Sequence, residues 1–398
     1  MSKFTKLINN PKLFFSDALK KRKKSVVKKP VTLDIKDVNL LTPFTHILHS
    51  GEGENGINHL NLWIPFFLES GVKFLVVTRH LITYENVKNQ YPLVDVVLAK
   101  GNNEIKYIFE KLLFLKACFY PSNNGINIHP LYFNNIKHIF IGHGDSDKTA
   151  SAHKYFRVYD ENWVASEAHI DRFRNEKFDF SGLKSIKVGR ANLFEILKST
   201  DGINWKNRFN NIKLLYLSTW EGVYLEQNYT SVYMLEDLFK VLKSIENIDL
   251  KIKLHPALGR RDLELLHSNE KAKKLAIENN IQCEVFEKTK LIDELIIESN
   301  IFICDISAVV SECLAANAPI FVYIPRDKDI KLSQSNMSFE DYTYTFSSYI
   351  ELEKKLTKVV NGDDYLKNNR EKAMKYILGK KETLYNKFIS ELQGINYV

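Results

Sequence analysis

From residue 44 onward the chain alternates short apolar runs with stretches whose apolar residues recur at helical spacing. In the first half, the runs at 44–49, 72–78, 93–99, 137–141 and 162–165 predict strands, and the patterns at 60–70 and 104–120 predict helices. The pattern lapses into polar residues at 201–208 and restarts with the strongly apolar 213–218. The second half then reads helix 229–244, strand 250–254, helix 263–279, strand 283–286, helix 291–298, strand 301–304, helix 309–316 and strand 320–323, with helical pattern from 349 to the end. Strands interleaved with helices build a parallel sheet covered on both faces, so an α/β fold of two doubly wound halves is expected.

A chain of 398 residues suits two domains with a core each, and 44% hydrophobic residues with modest Gly and Pro describe a folded globular protein. The net charge of +8 suggests nucleic-acid binding until it is located. Residues 1–30 hold ten Lys or Arg against one acid, Asp17, so nearly all of the excess sits at one end and the rest of the chain is close to neutral. That distribution suits attraction to an anionic surface and disfavours a basic groove through the fold; no nucleic acid is expected as partner. Within 4–24, Phe4, Leu7, Ile8, Leu13, Phe14, Phe15, Ala18 and Leu19 alternate with lysines, as in a segment lying in a membrane interface. The same residues would also suit a solvated tail docked on the protein's own body.

No apolar stretch reaches the roughly 18–20 residues that span a bilayer, and the N-terminus lacks the apolar centre of a signal peptide. Cys118, Cys283, Cys304 and Cys313 show no CxxC spacing. The expected location is cytoplasmic, peripheral at the inner face of the membrane.

Three clusters fall at strand-to-helix junctions. In 138–148 an apolar strand runs into His143 between Gly142 and Gly144, which let the backbone turn and a ligand approach. A histidine there suits proton abstraction from a hydroxyl, or a bond to a backbone carbonyl. Asp145-Ser-Asp147 spells the DxD that some transferases use for a divalent ion, a tripeptide short enough to recur by chance; with Lys148 these are further cleft candidates, and no metal is required. The second cluster ends a strand in His255, restricted by Pro256, and suits a hydrogen bond to a diphosphate. The third runs from a strand into Asp305, Ser307 and a helix bearing Ser311 and Glu312; its free N–H groups favour a phosphate, while Ser307 also suits simple capping.

Taken in order, His143-Gly144, Tyr216-Leu-Ser-Thr-Trp220, Lys253-Leu-His-Pro256, Cys304-Asp-Ile-Ser-Ala308 and the strand Pro319-Ile-Phe-Val-Tyr323 resemble the CDP-glycerol glycerophosphotransferase family over roughly 136–325. Two positions depart from that pattern: Asp145 stands where Thr is common, and Ala308 where a second Ser is common.

The resemblance implies a GT-B architecture of two Rossmann-like domains facing a central cleft, preceded by the basic amphipathic segment 1–30. The expected divisions are an acceptor domain at 31–205, a donor-nucleotide domain at 206–375 and a terminal helix at 376–398. It further implies transfer of glycerol phosphate from CDP-glycerol to a hydroxyl of a glycan or lipid-linked acceptor, with His143 and His255 catalytic. Gly144, Ser218, Thr219, Lys253, Asp305, Ser307, Ser311 and Glu312 would contact the donor, and no cofactor is required. A GT-B glycosyltransferase using a nucleotide sugar, such as a CMP-activated acidic sugar for a capsule, reads the same residues. A non-catalytic membrane-tethered binding protein is the reading from another class.

Overall fold

A computed structural model describes residues 39–396 apart from Glu54, 145–146, 148–150, 191–192, 223–226, 287–289, 327–329, Lys331 and 333–334, and apart from the side chains of 381–385. The basic segment 1–30 therefore lies outside the described residues, as do Asp145 and Lys148.

Two parallel sheets organise the chain. The first contains β1 (His46–Ser50), β2 (Phe74–Thr78), β3 (Val96–Leu98), β4 (Ala117–Tyr120), β5 (Lys137–Phe140), β6 (Glu161–Val164) and β7 (Ser185–Lys187), in the order β3-β2-β1-β4-β5-β6-β7. The second contains β8 (Ile212–Leu217), β9 (Ile248–Lys253), β10 (Gln282–Val285), β11 (Ile301–Asp305), β12 (Ile320–Tyr323) and β13 (Tyr344–Phe346), in the order β10-β9-β8-β11-β12-β13. Each sheet is doubly wound, so its connections diverge at one point, between β1 and β4 in the first and between β8 and β11 in the second.

The central strands β1, β2 and β11 are buried along their whole length, as parallel strands covered on both faces must be. Alternate residues divide between the faces. Ile47, Leu75, Val77, Cys118 and Tyr120 join one core of the first domain, and Leu48, Val76, Ala117, Phe119 and Ile139 join the other.

The expected helix at 104–120 is two elements. Helix Asn102–Lys111 starts at Gly101, whose N–H is taken by the Glu104 carboxylate, and the chain then turns into β4, the central strand beside β1. Helices Leu81–Gln90 and Glu167–Asn175 and the short strands β7 and β13 are further elements beyond those expected from the sequence.

Leu193, Ile196, Leu197 and Trp205, in and around helix Phe194–Thr200, pack in the core of the second sheet.

The terminal helix Lys381–Gln393 returns to the first domain. Phe388 is fully buried, stacked on Trp63 at 4.7 Å and edge-on to Trp163 at 5.5 Å. Nε2 of His46 donates to the Leu392 carbonyl at 3.0 Å, and the Gln393 amide donates to the Ser70 carbonyl at 2.8 Å. Phe388→Ala leaves a cavity among these rings and is expected to cost about 3–5 kcal/mol in urea denaturation. A loss below about 1 kcal/mol would mean that the helix contributes little to this core.

Candidate active site between the two sheets

In the first domain the site forms at the carboxyl ends of β1, β4 and β5. Gly142 follows β5 at φ 66°, a conformation glycine adopts without strain. Its carbonyl accepts from the indole N–H of Trp63 at 2.6 Å, which fixes the turn. His143 then points back across the sheet, and its Nδ1 lies 2.8 Å from the Pro121 carbonyl after β4. A carbonyl only accepts, so Nδ1 carries the hydrogen and Nε2 keeps a lone pair. The turn-histidine bond and the base reading thus coexist, because they use different nitrogens. His143 is itself exposed to the cleft; the crowding of its ring and then the neighbouring charge of His59 lower its pKa, so the ring is neutral at physiological pH.

Two residues that sequence reasoning missed complete this half. Glu52 follows β1, and its carboxylate bonds Nδ1 of His59 on helix Gly56–Asn61. The His59 ring stacks on His143 at 3.6 Å with planes 10° apart. Only the Gly51-Glu-Gly53 turn after a strand could have signalled Glu52; nothing local singles out His59.

In the second domain the equivalent ends are those of β8, β9 and β11. His255 follows β9; its Nδ1 accepts from Ala257 N–H at 3.0 Å, which places the proton of the neutral ring on Nε2 as a donor. Its backbone N–H donates to the Ser218 hydroxyl at 3.3 Å, and Trp220 stacks beside it with centroids 6.3 Å apart.

Asp305 is fully buried, and its carboxylate accepts from Thr219 N–H at 2.7 Å, from Ser231 N–H at 3.0 Å and from the Ser231 hydroxyl. It ties the β8 loop to β11 from beneath, so its expected contact with a donor is replaced by a supporting position. Burial raises its pKa to about 7 against those donors.

Helix Val309–Leu314 is six residues long and starts at Ala308 with no side-chain cap. The Ser307 hydroxyl donates to the Asp305 carbonyl at 3.3 Å, and the Ser311 hydroxyl donates to Ala308 at 2.8 Å, a bond closed within the first turn. Ser307 therefore does not cap the helix, and Ser311 directs its proton into it. Lys253, at the end of β9, is buried, which lowers its pKa.

Contact between the two halves is direct. A Cβ added at Gly144 would lie 2.9 Å from the Ala308 Cβ, so the loops after β5 and β11 meet with no room for a side chain between them. Beside them Arg190, just beyond β7, stands 3.7 Å from Glu312, whose carboxyl burial pushes up to about 6 against that charge. A small recess adjoins His143, walled by Trp163, Ala165, His169, Gly189 and Arg190. Asp147 instead forms a buried ion pair with Arg172 at 2.6 Å, so the structure turns it away from any ligand. Among the described residues no group of three or more His, Cys, Asp or Glu side chains is arranged to hold a metal ion.

No family model matches the sequence, and no curated protein does. Solved structures do. A variant of the wall teichoic acid polymerase TagF soaked with CDPG aligns with a TM-score of 0.56 at 12% identity, over 96% of this chain and 98% of that one. The fold is GT-B. A glycosyltransferase from Rickettsia africae ESF-5 aligns at 0.53 with 12% identity, over 87% and 96% of the two chains. UDP-GlcNAc 2-epimerase from Neisseria meningitidis bound to UDP-GlcNAc aligns at 0.57 with 12% identity, over 87% and 100%. At these identities the likeness is one of fold.

Proposed function

We propose that the chain is a GT-B transferase that moves glycerol phosphate from CDP-glycerol to a hydroxyl of a glycan or lipid-linked acceptor, in capsule or teichoic-acid-like polymer synthesis. The observation that carries the reading is the contact of Gly144 with Ala308, which sets a neutral histidine with an available lone pair against the loop expected to hold the donor. Support for the donor comes from the ordered motifs named above, and the fold shared with TagF is compatible with it.

In this reading the acceptor oxygen bonds to the phosphorus that bears glycerol as its proton passes to Nε2 of His143. The bond from that phosphorus to the bridging oxygen breaks, and CMP leaves with the oxygen. Nε2–H of His255 steadies the charge that gathers on the departing phosphate. Such transfer is chiefly positioning and charge stabilisation, which neutral donors in a dry cleft supply effectively.

A thermal-shift screen tests the donor. CDP-glycerol at a hundred times its Kd is expected to stabilise the protein by about 2.7 kcal/mol. Stabilisation by UDP-sugars or a CMP-activated acidic sugar, with none from CDP-glycerol, would replace this reading with the sugar-transferase one.

The same proposal places the protein on the inner face of the membrane through residues 1–30. Among the described residues no helix is long and apolar enough to cross a membrane. The intact protein is expected to float with anionic liposomes and a form starting at Pro30 to remain at the bottom, an effect that fades with salt. Equal flotation of both forms would remove the membrane role of that segment.

A further inference from the structure

We propose that His59, held by Glu52, is a positioning residue for His143: the three side chains form one stacked unit in which the Glu52 carboxylate accepts from Nδ1–H of His59 and His143 keeps the lone pair. The inference rests on the reading of His143 as the base.

The two rings lie face to face with centroids 3.6 Å apart. Two imidazolium ions at that spacing repel one another, so the pair favours at most one positive charge at a time. Glu52 decides which ring holds it. Its carboxylate bonds Nδ1 of His59, whereas Nδ1 of His143 is turned to the uncharged carbonyl of Pro121. Burial would raise the Glu52 carboxyl, but the bond and charge of His59 outweigh it and hold the group below the ordinary carboxylate range.

The groups facing His143 are Glu52 beyond β1, His59 on helix Gly56–Asn61, His169 across the recess and Arg190 beyond β7. Of these, His59 and Arg190 hold it neutral, and Glu52 opposes them.

The frame that aims His59 is rigid. The buried Thr83 hydroxyl donates to the Gly53 carbonyl at 2.7 Å, with the Glu52 carbonyl 3.2 Å away. A Cβ at Gly56 would come within 2.9 Å of both the Ser50 and Thr83 hydroxyls, so the helix is pressed onto the end of β1.

In the reaction the acceptor O–H breaks and Nε2–H forms on His143.

His59→Phe keeps a stacked ring and removes the charge. A nitrogen-resolved NMR titration of the full-length protein without substrate is expected to show His143 binding its proton about tenfold more tightly than in the parent. The acid limb of kcat/KM moves to higher pH by the same factor, while the donor KM stays within about twofold. His59→Gln, which also removes the charge, is titrated alongside in case the phenylalanine variant does not fold. An unchanged His143 titration in a folded variant overturns the proposal. Because that titration needs no substrate, failure of transfer in the parent would sink the functional reading alone.

Discussion

Replacing His143 with alanine is expected to lower turnover with CDP-glycerol by about a hundredfold or more while donor affinity changes by no more than about twofold. General-base catalysis contributes roughly 10²–10⁴ in rate, and a group that acts only on the acceptor's proton contributes little to ground-state binding of the donor. The geometry sharpens the expectation, since Nδ1 is committed to Pro121 and leaves Nε2 as the one nitrogen able to receive a proton. His143→Asn keeps a donor toward Pro121 and removes the base, so it should be as inactive as alanine and better folded. Released CMP and isothermal titration with CDP-glycerol measure the two halves of the prediction. Near-normal turnover in either variant would remove His143 from the chemistry.

Asp305→Ala is expected to be the most damaging single change to stability at the site. It strands two backbone N–H groups, of Thr219 and Ser231, and removes one of the two partners of the Ser231 hydroxyl, which keeps Tyr216, all in a buried position. Each stranded donor costs about 1–3 kcal/mol, so a loss of about 3 kcal/mol or more in urea denaturation follows. Asp305→Asn separates shape from charge. The folded-state pKa of Asp305 is raised from 3.8 to about 7, so protonation of the folded form stabilises the parent fully below pH 4 and ceases to do so as pH rises through 7. The asparagine variant lacks that dependence. Its stability deficit should therefore be larger at pH 5 than at pH 8, and equal deficits at both would mean that Asp305 does not titrate in this range.

Much of the architecture was legible along the chain because strand and helix differ in the period of their apolar residues, and that period is local. The boundary of β4 was not. Its run Ala117–Tyr120 follows a Leu-rich link at 112–116 with neither Gly nor Pro, and the helical pattern before it reads straight through. The site divides in the same way. Gly142-His143-Gly144 and His255-Pro256 announced themselves through backbone restrictions carried by the residues concerned. Asp147 and Asp305 looked like ligands, since a carboxylate after a strand has the same local sequence whether it faces a cleft or a buried partner. Arg172 and the Ser231 backbone, which settle the matter, lie 25 and 74 residues away.

By itself the sequence determined two doubly wound halves, the two histidine turns and the basic first thirty residues, because periodicity, glycine freedom and charge are properties of short segments. Tertiary structure alone decided that Gly144 meets Ala308, that Glu52 and His59 stand behind His143, and that the last helix closes on the first sheet. Those are contacts between segments that no local period relates, fixed only when burial of both faces of each sheet brings the strand ends to one cleft.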